Sequence, residues 1–307
     1  MLCLKWGFLI MIKKHLDLKK KDDVESHNNE NINNKDKPAE NKEKKEIQHV
    51  HSEESVLKDR KIDEQTAIRN FRYLDELIHS GVKEIVLDSD IVLDPDEKSQ
   101  YLNGIKLDAD DLAIDGNGHA IDAQGLTRIF FCTGKNIIIK NIILKNGFTI
   151  ENGGAINNEG ELTITESTLT EKKKKNGDGG AINNEGELTI TESTLTENTA
   201  KYGGAIHNNG ELTITKSTLT GNTAHRYGGA IHNNKGGELT ITESTLNNNT
   251  AHWKGGAIYN NEGELTITES TLNNNTAQRD GGAIHNLDEK SFKIKDCKLD
   301  NNIPNNY

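Results

Sequence analysis

The tetrapeptide Gly-Gly-Ala-Ile occurs six times in this chain at nearly constant spacing. The copies begin at Gly153, Gly179, Gly203, Gly228, Gly255 and Gly281, so the intervals are 26, 24, 25, 27 and 26 residues. A repeat of this length is one supersecondary unit, and it cannot bury an apolar face without its neighbours. The copies must therefore stack on one another, which makes residues 153–302 an array of similar layers.

Each copy contains three short segments with the pattern of strands. In residues 179–202, Leu188 and Ile190 alternate with threonines, which is typical of a half-buried strand. The other two segments are Ala181–Asn184 and the stretch around Thr194, and Gly and Asn residues separate the three. A repeat this short has no room for a crossover helix. The sequence therefore predicts an all-β fold, a parallel β-helix solenoid with three strands per coil and roughly nine coils.

Stacking turns each position of the repeat into a column of equivalent side chains. The isoleucines of the tetrapeptides are predicted to point into the core. The next position is predicted to face solvent, and its members are Asn157, Asn183, His207, His232, Tyr259 and His285. The position after that is always asparagine, and stacked amides can hydrogen-bond along the column. The predicted structural ladder is Asn158, Asn184, Asn208, Asn233, Asn260 and Asn286, and a second ladder is Asn198, Asn222, Asn249, Asn275 and Asn302.

The repeats also resemble those of a known class of surface proteins. Gly-Gly-Ala-Ile followed by Asn, with the segment Leu195–Ala200, is similar to the repeats of chlamydial-type polymorphic outer membrane proteins. It is closer to adhesin-like surface proteins of methanogenic archaea. These families share the pectin-lyase-like right-handed β-helix. The chlamydial repeat usually has Phe where this chain has Leu195. The resemblance covers roughly residues 82–302, implies a cell-surface or extracellular location, and transfers no catalytic residue.

The chain outside the regular repeats divides into segments of different composition. Residues 1–12 are apolar but too short to span a bilayer, which leaves a signal or anchor segment or a short sticky terminus. Residues 13–62 are rich in Lys, Asn, Asp and Glu and predict a disordered linker. Residues 63–81 predict an amphipathic helix with Asp63 as its N-cap, covering the open end of the solenoid. The β-helix is predicted over 82–302, with a tail at 303–307.

Charge and cysteine content exclude some functions. The formal net charge of −11 argues against nucleic acid as a partner. Cys3, Cys132 and Cys297 are too far apart in the sequence for a metal motif or a disulfide framework. The last repeat departs from the consensus at Phe292 and Ile294, and a bare final strand edge predicts end-to-end self-association.

Aromatic and histidine side chains recur at the outward column and at the corner before each tetrapeptide. Such side chains on a rod suggest contact with a ligand. The predicted contact residues are Tyr202, Tyr227, Trp253, His207, His232, Tyr259 and His285. The expected partner is a glycan or a protein on another cell surface.

The favoured function is an adhesin-like or structural rod that binds host, cell or glycan surfaces, because repeated layers add weak contacts through multivalency. The alternative is a pectin-lyase-like polysaccharide lyase or hydrolase, for which Asp115, Asp122 and Arg128 are the candidate residues. A third hypothesis is ice binding by the Thr-x-Thr pairs of successive copies, such as Thr189 and Thr191.

No cofactor is expected, apart from weak Ca²⁺ association with a column of glutamates. Like charges one strand apart repel each other unless counter-ions relieve them. The candidates in this column are Glu187, Glu211, Glu238 and Glu264. A solvated, screened acidic stripe is the alternative interpretation.

Overall fold

The computed structural model describes residues 69–170, 177–288 and 291–304. The predicted segments 1–12 and 13–62, and all but two residues of the 303–307 tail, lie outside the described residues. Within them, one α-helix is followed by strands that all pair in parallel.

The helix α1 spans Phe71–Ile78, and a 3₁₀ helix spans Pro95–Glu97. The strands, in chain order, are β1 (Glu84–Val86), β2 (Ile91–Val92), β3 (Ile105–Leu107), β4 (Ala113–Asp115), β5 (Ala120–Asp122), β6 (Phe130–Cys132), β7 (Ile137–Lys140), β8 (Ile143–Lys145), β9 (Ile156–Asn158), β10 (Glu161–Thr165), β11 (Thr168–Thr170), β12 (Ile182–Asn184), β13 (Glu187–Thr191), β14 (Thr194–Thr196), β15 (Thr199–Tyr202), β16 (Ile206–Asn208), β17 (Glu211–Thr215), β18 (Thr218–Thr220), β19 (Thr223–Tyr227), β20 (Ile231–Asn233), β21 (Glu238–Thr242), β22 (Thr245–Asn247), β23 (Thr250–Ala251), β24 (Ile258–Asn260), β25 (Glu264–Thr268), β26 (Thr276–Ala277), β27 (Ile284–Asn286) and β28 (Phe292–Lys295).

These strands form sheets that run along a solenoid of about eight turns. The first sheet has the order β1-β4-β7-β10-β13-β17-β21-β25-β28, and the second has the order β2-β5-β8-β11-β14-β18-β22. The third sheet, which carries the tetrapeptide isoleucines, has the order β27-β24-β20-β16-β12-β9-β6-β3. Each strand thus pairs with its equivalent one turn away, as predicted.

The register places identical residues over one another. Leu188 pairs with Leu162 on one side and with Leu212 on the other, and Ile190 pairs with Ile164 and Ile214 in the same way. These leucines and isoleucines are at most 2% exposed. Alternate residues of each strand therefore fill one continuous apolar core, and the predicted inward columns are confirmed.

A fourth sheet was not predicted. It joins the short strands β15, β19, β23 and β26, which begin at the recurring Thr-Ala pair. Ala200 and its equivalents in the next turns, Ala224 and Ala251, are fully buried. The small alanine side chain lets this strand lie close against the core, so these turns have four short strands where three were expected.

Both predicted asparagine ladders are confirmed. In the first, each Nδ2 donates to the Oδ1 of the next asparagine at 2.7 to 2.8 Å, from Asn158 to Asn286. In the second, the same contacts are 2.9 to 3.1 Å long, from Asn198 to Asn302. A ladder of buried serines was missed. There the main-chain N–H of one serine donates to the Oγ of the next, as between Ser193 and Ser217 at 3.1 Å.

The helix α1 begins later than predicted. Its N-cap is Asn70, whose Oδ1 accepts from the main-chain N–H of Tyr73 at 3.0 Å, so Asp63 is not the cap of this helix. Phe71 and Leu74 are fully buried and belong to the same apolar core as the first strands. The Phe71 ring meets Tyr101 edge to face, with 5.8 Å between ring centroids. The helix therefore extends the core at the first turn.

The last described turn is less well covered than those before it. Phe292 and Ile294 are partly buried, whereas their equivalents Leu265 and Ile267 are fully buried. End-to-end self-association stays a prediction. No helix among the described residues is long and apolar enough to cross a membrane.

Candidate functional site

The outward column of the third sheet is more buried than predicted. Asn183, His207, His232 and Tyr259 are only 2%, 5%, 6% and 8% exposed, so the expectation that they face solvent was wrong. Strands β12, β16, β20 and β24 have three residues each, and in the last three of them the ring at the centre of the strand packs against rings of neighbouring turns. Corner residues such as Tyr227 lie against the same rings and cover them further.

The seven predicted contact residues lie together in one cluster. We call this cluster the aromatic face, and its members are Tyr202, His207, Tyr227, His232, Trp253, Tyr259 and His285. Stacked pairs run along it, with centroid distances of 5.5 Å for Tyr202 and Tyr227, 4.5 Å for Tyr227 and Tyr259, and 5.3 Å for Tyr259 and His285. The Trp253 ring meets Tyr227 edge to face at 5.7 Å. The rings therefore cover one another's faces along the cluster.

Basic side chains flank the aromatic face. The guanidinium of Arg226 lies 5.4 Å from the Trp253 ring centroid, and one of its N–H groups donates to the Tyr202 hydroxyl at 3.1 Å. The Arg279 guanidinium lies 4.7 Å from the same Trp253 ring, and the Lys201 ammonium lies 4.9 Å from the Tyr202 ring. No carboxylate of the described residues lies within 4.0 Å of the charged atoms of Lys201, Arg226 or Arg279. Rings therefore contact these three cations, whereas Lys254, whose ammonium lies 3.4 Å from His285 Nε2, forms an ion pair with Asp280.

Burial controls protonation within the face. The Nδ1 atoms of His207 and His232 lie 2.9 Å apart, within hydrogen-bonding distance. Burial, together with the smaller effect of the neighbouring His207, lowers the pKa of His232 to about 3. Burial also lowers the pKa of His285, with Lys254 adding to the effect, and it raises the pKa of Tyr259. His232 is therefore neutral at physiological pH.

The buried imidazole of His232 predicts a loss of stability in acid. The unfolded chain takes up a proton at this histidine below a pKa of about 6.5, whereas the folded chain does so only near 3. Its contribution is complete above pH 6.5 and is lost progressively as the pH falls from 6.5 towards 3. We expect His232→Asn, the residue found at the equivalent position 183, to unfold with a shallower dependence on pH in this window. Chemical unfolding at several pH values measures this, and equal slopes for the two proteins would contradict it.

The three residues considered for polysaccharide cleavage do not converge. Asp115 lies in the first sheet and accepts from the main-chain N–H of Asn117 at 2.8 Å. Asp122 lies in the second sheet and accepts from the main-chain N–H of Gln124 at 2.8 Å. Arg128 is buried beside the third sheet and donates to main-chain carbonyls. Asp115 and Asp122 thus each stabilise a local bend of the chain, whereas Arg128 joins main-chain carbonyls of neighbouring layers.

The repeated outer face of the first sheet carries the glutamate and threonine columns. Glu187, Glu211, Glu238 and Glu264 pair in register and are exposed. The described residues hold no group of three or more His, Cys, Asp or Glu side chains that could bind a metal ion. Thr189, Thr213 and Thr240 are also in register and exposed, beside this charged column. The Ca²⁺ and ice-binding hypotheses stay predictions.

The sequence analysis missed a cavity of about 790 Å³ at the start of the regular repeats. Phe131, Asn157 and Asn183 lie in its lining, and they continue the column of the aromatic face towards the N-terminus. Irregular turns meet regular ones here. In this column Phe131 is aromatic, whereas the next two residues, Asn157 and Asn183, are polar. This difference is the sequence signal of the site.

A comparison with protein families agrees with this architecture. The family model described as a right-handed β-helix region matches residues 127–303, which is more than half of the chain. Neither the curated proteins nor the solved structures include a match to this chain. The chain therefore belongs to the right-handed β-helix family.

Proposed function

We propose that this protein is an adhesin-like rod that binds a glycan on another cell surface through the aromatic face. The observation that carries the proposal is a continuous run of rings, from Tyr202 to His285, flanked by three cations that have no acidic partner among the described residues, namely Lys201, Arg226 and Arg279. The right-handed β-helix fold is compatible with this function. A cell-surface or extracellular location is part of the same proposal.

The chemistry of the face favours a polar ligand over an apolar one. Tyr and Trp offer an apolar body with a polar group that can bond a partner. The guanidinium groups of Arg226 and Arg279, which have no carboxylate partner among the described residues, can donate to ligand oxygens, and Arg is well suited to such planar contacts. The face is therefore rich in hydrogen-bond donors, which suits the hydroxyl, carboxylate or sulfate oxygens of a glycan.

The rigid support of the face adds to its suitability for binding. Its rings belong to successive turns, and strand pairing fixes their positions. His207 pairs with His232, and His232 pairs with Tyr259. A surface that is already ordered loses little conformational entropy when a ligand binds. The spacing between successive contacts is also fixed, so an extended ligand can engage several turns at once.

The proposal predicts that a double substitution on the face abolishes most of the binding. We expect the full-length chain to bind members of a glycan array, and Tyr202→Ala with Trp253→Ala to weaken that binding by about tenfold or more, because aromatic residues carry much of a typical interface. Biolayer interferometry with immobilised glycans measures the change. Trp253 is 37% exposed, so its loss leaves the apolar core intact.

A matched control places the same number of alanine substitutions on the first sheet instead of the third. Thr213→Ala with Thr240→Ala removes two exposed side chains of the first sheet and should leave glycan binding unchanged. Undiminished binding by the Tyr202 and Trp253 variant would reject the aromatic face as the binding surface. Failure of the unmodified chain to bind any glycan would reject the function.

A further inference from the structure

The cavity at the start of the regular repeats is a second site with a different chemistry. Its volume is about 790 Å³, and Phe131, Asn157 and Asn183 from successive turns lie one above another in its lining. Glu159 and Glu185, which follow two of these strands, also line it. Asn103, Arg128, Glu151 and Asn152 belong to segments that precede the strands and complete the lining. No member of the aromatic face lines this cavity.

The basic group of the cavity already has its donors engaged. Arg128 is 4% exposed and donates through Nε to the carbonyl of Gly153 at 3.0 Å. It also donates through Nη1 and Nη2 to the carbonyls of Asn103 and Asn152, at 3.3 and 2.8 Å. Its Nη2 lies 3.8 Å from a carboxylate oxygen of Glu151. The guanidinium thus fixes the backbone around the cavity and offers little to a ligand.

In contrast, the cavity has more side-chain hydrogen-bond acceptors than donors to satisfy them. Glu159 Oε1 accepts from Asn157 at 3.1 Å, and Glu185 Oε1 accepts from Asn183 at 3.1 Å and from Asn209 at 2.9 Å, which leaves the second oxygen of each carboxylate for a ligand. No Lys, Arg or His nitrogen of the described residues lies within 4.0 Å of either carboxylate. Asn183 is only 2% exposed, and its Oδ1 accepts no hydrogen bond. Burying an acceptor without a donor is unfavourable, so the site is suited to a ligand that supplies donors.

From this arrangement we propose that the cavity binds an oligosaccharide that carries free, protonated amino groups. An ammonium group supplies three donors and a positive charge, which match the carboxylates of Glu159 and Glu185. It is also attracted to the face of an aromatic ring such as Phe131. Sugar hydroxyls supply further donors, and the volume lies within the range of pockets that enclose an organic ligand.

A metal ion fits this cavity less well than an organic cation. Ca²⁺ requires six to eight oxygen ligands at short distances. The described residues include no group of three or more His, Cys, Asp or Glu side chains arranged to hold a metal, and the cavity far exceeds the volume of a bare ion. The excess negative charge is therefore assigned to recognition of an amine.

The test compares two oligomers that differ only in the amino group. Isothermal titration calorimetry is carried out on the full-length chain with a β-1,4-linked tetramer of 2-amino-2-deoxyglucose, at a pH that keeps the amine protonated, and with its N-acetylated counterpart. We expect the amine oligomer to bind about tenfold or more tightly than the acetylated one, because each charged hydrogen bond is lost on acetylation. Equal affinities would overturn the proposal.

A charge-matched pair of variants localises the binding. Glu159→Gln with Glu185→Gln keeps the side-chain acceptors of the two asparagine amides and should reduce affinity for the amine oligomer by about tenfold. Glu187→Gln with Glu211→Gln removes the same charge from the exposed face of the first sheet and should leave affinity unchanged. An equal loss of affinity in both variants would mean that the amine oligomer is attracted to the acidic protein in general. That result would overturn the cavity as the binding site. Calcium binding that requires Glu159 and Glu185 would overturn the ligand class.

The inference does not depend on the aromatic face. The Tyr202→Ala and Trp253→Ala variant should retain full affinity for the amine oligomer, because neither side chain lines the cavity. If that variant no longer binds the glycan array but still binds the amine oligomer, the result supports both the aromatic face and the cavity as binding sites. Loss of the amine oligomer in the same variant would place its binding on the aromatic face and would overturn the cavity as the site.

Discussion

Gly204→Ala is expected to prevent the central repeats from stacking. An added Cβ at this position would lie 2.1 Å from the main-chain oxygen of Gly229 in the next turn, and 2.7 Å from the main-chain nitrogen of Thr223. Both neighbours are backbone atoms of paired strands and corners, so neither can move without breaking main-chain hydrogen bonds. We expect a loss of more than about 3 kcal/mol in the free energy of unfolding, measured by urea denaturation, or failure to fold at all.

The control for this prediction is the same substitution at a glycine with open surroundings. Gly236 has a φ of +83°, and an added Cβ there would meet nothing within 4 Å. Gly236→Ala should therefore cost only the left-handed backbone strain, about 1 kcal/mol. If the two substitutions cost the same, close packing between turns is not the reason for the paired glycines of the repeat.

Asn208→Leu is expected to remove a similar amount of stability through hydrogen bonding. The Asn208 amide donates to the carbonyl of Gly210 at 2.9 Å, to Oδ1 of Asn233 at 2.8 Å and to the carbonyl of Glu238 at 3.1 Å, and it accepts from Asn184 at 2.8 Å. Leucine has a similar size but would leave these partners buried and unsatisfied. The expected cost is about 4 kcal/mol.

Hydrogen–deuterium exchange tests whether that loss is local. In a solenoid each turn contacts only its neighbours, so protection should fall in β16 and the strands that pair with it, and stay high in distant turns. The adjacent substitution Asn209→Leu is the control. The Asn209 amide is half-buried, and its side-chain hydrogen bonds are to the side chains of Glu185 and Asn234. An equally large effect at Asn209 would show that the buried ladder has no special role.

Repetition made the core of this protein predictable. Once Leu188 and Leu212 occupy the same place in two copies, parallel pairing puts them in register, and the asparagine ladders follow from the same reasoning. The serine ladder could have been found in this way too, since Ser193 and Ser217 are also equivalent. The start of α1 at Asn70 was not predicted, because Asn and Asp are about equally good N-caps and the predicted cap, Asp63, lies outside the described residues.

The clustering of the candidate contact residues was predicted but their burial was not, and their contact with a ligand stays a prediction. Sequence reasoning grouped Tyr202, His207 and Tyr259 correctly because they recur at two fixed positions of the repeat. It placed the outward column in solvent, since alternation along a strand says which way a side chain points but not what covers it. Burial of His207 follows from the bulk of rings in adjacent turns. The cavity beside Phe131 was missed because it arises where irregular and regular turns meet.

The uniform register has a consequence for how such a protein can vary in length. If residues 179–202 were excised, Ile206 would meet Ile156 and Asn208 would meet Asn158, which are pairings of the kind that adjacent layers already make. A gene encoding this chain can therefore gain or lose one whole layer without creating a mismatched junction. Each such event would change the reach of the rod by about 4.8 Å. Evolution can thus adjust how far the protein extends while the chemistry of the remaining layers stays the same.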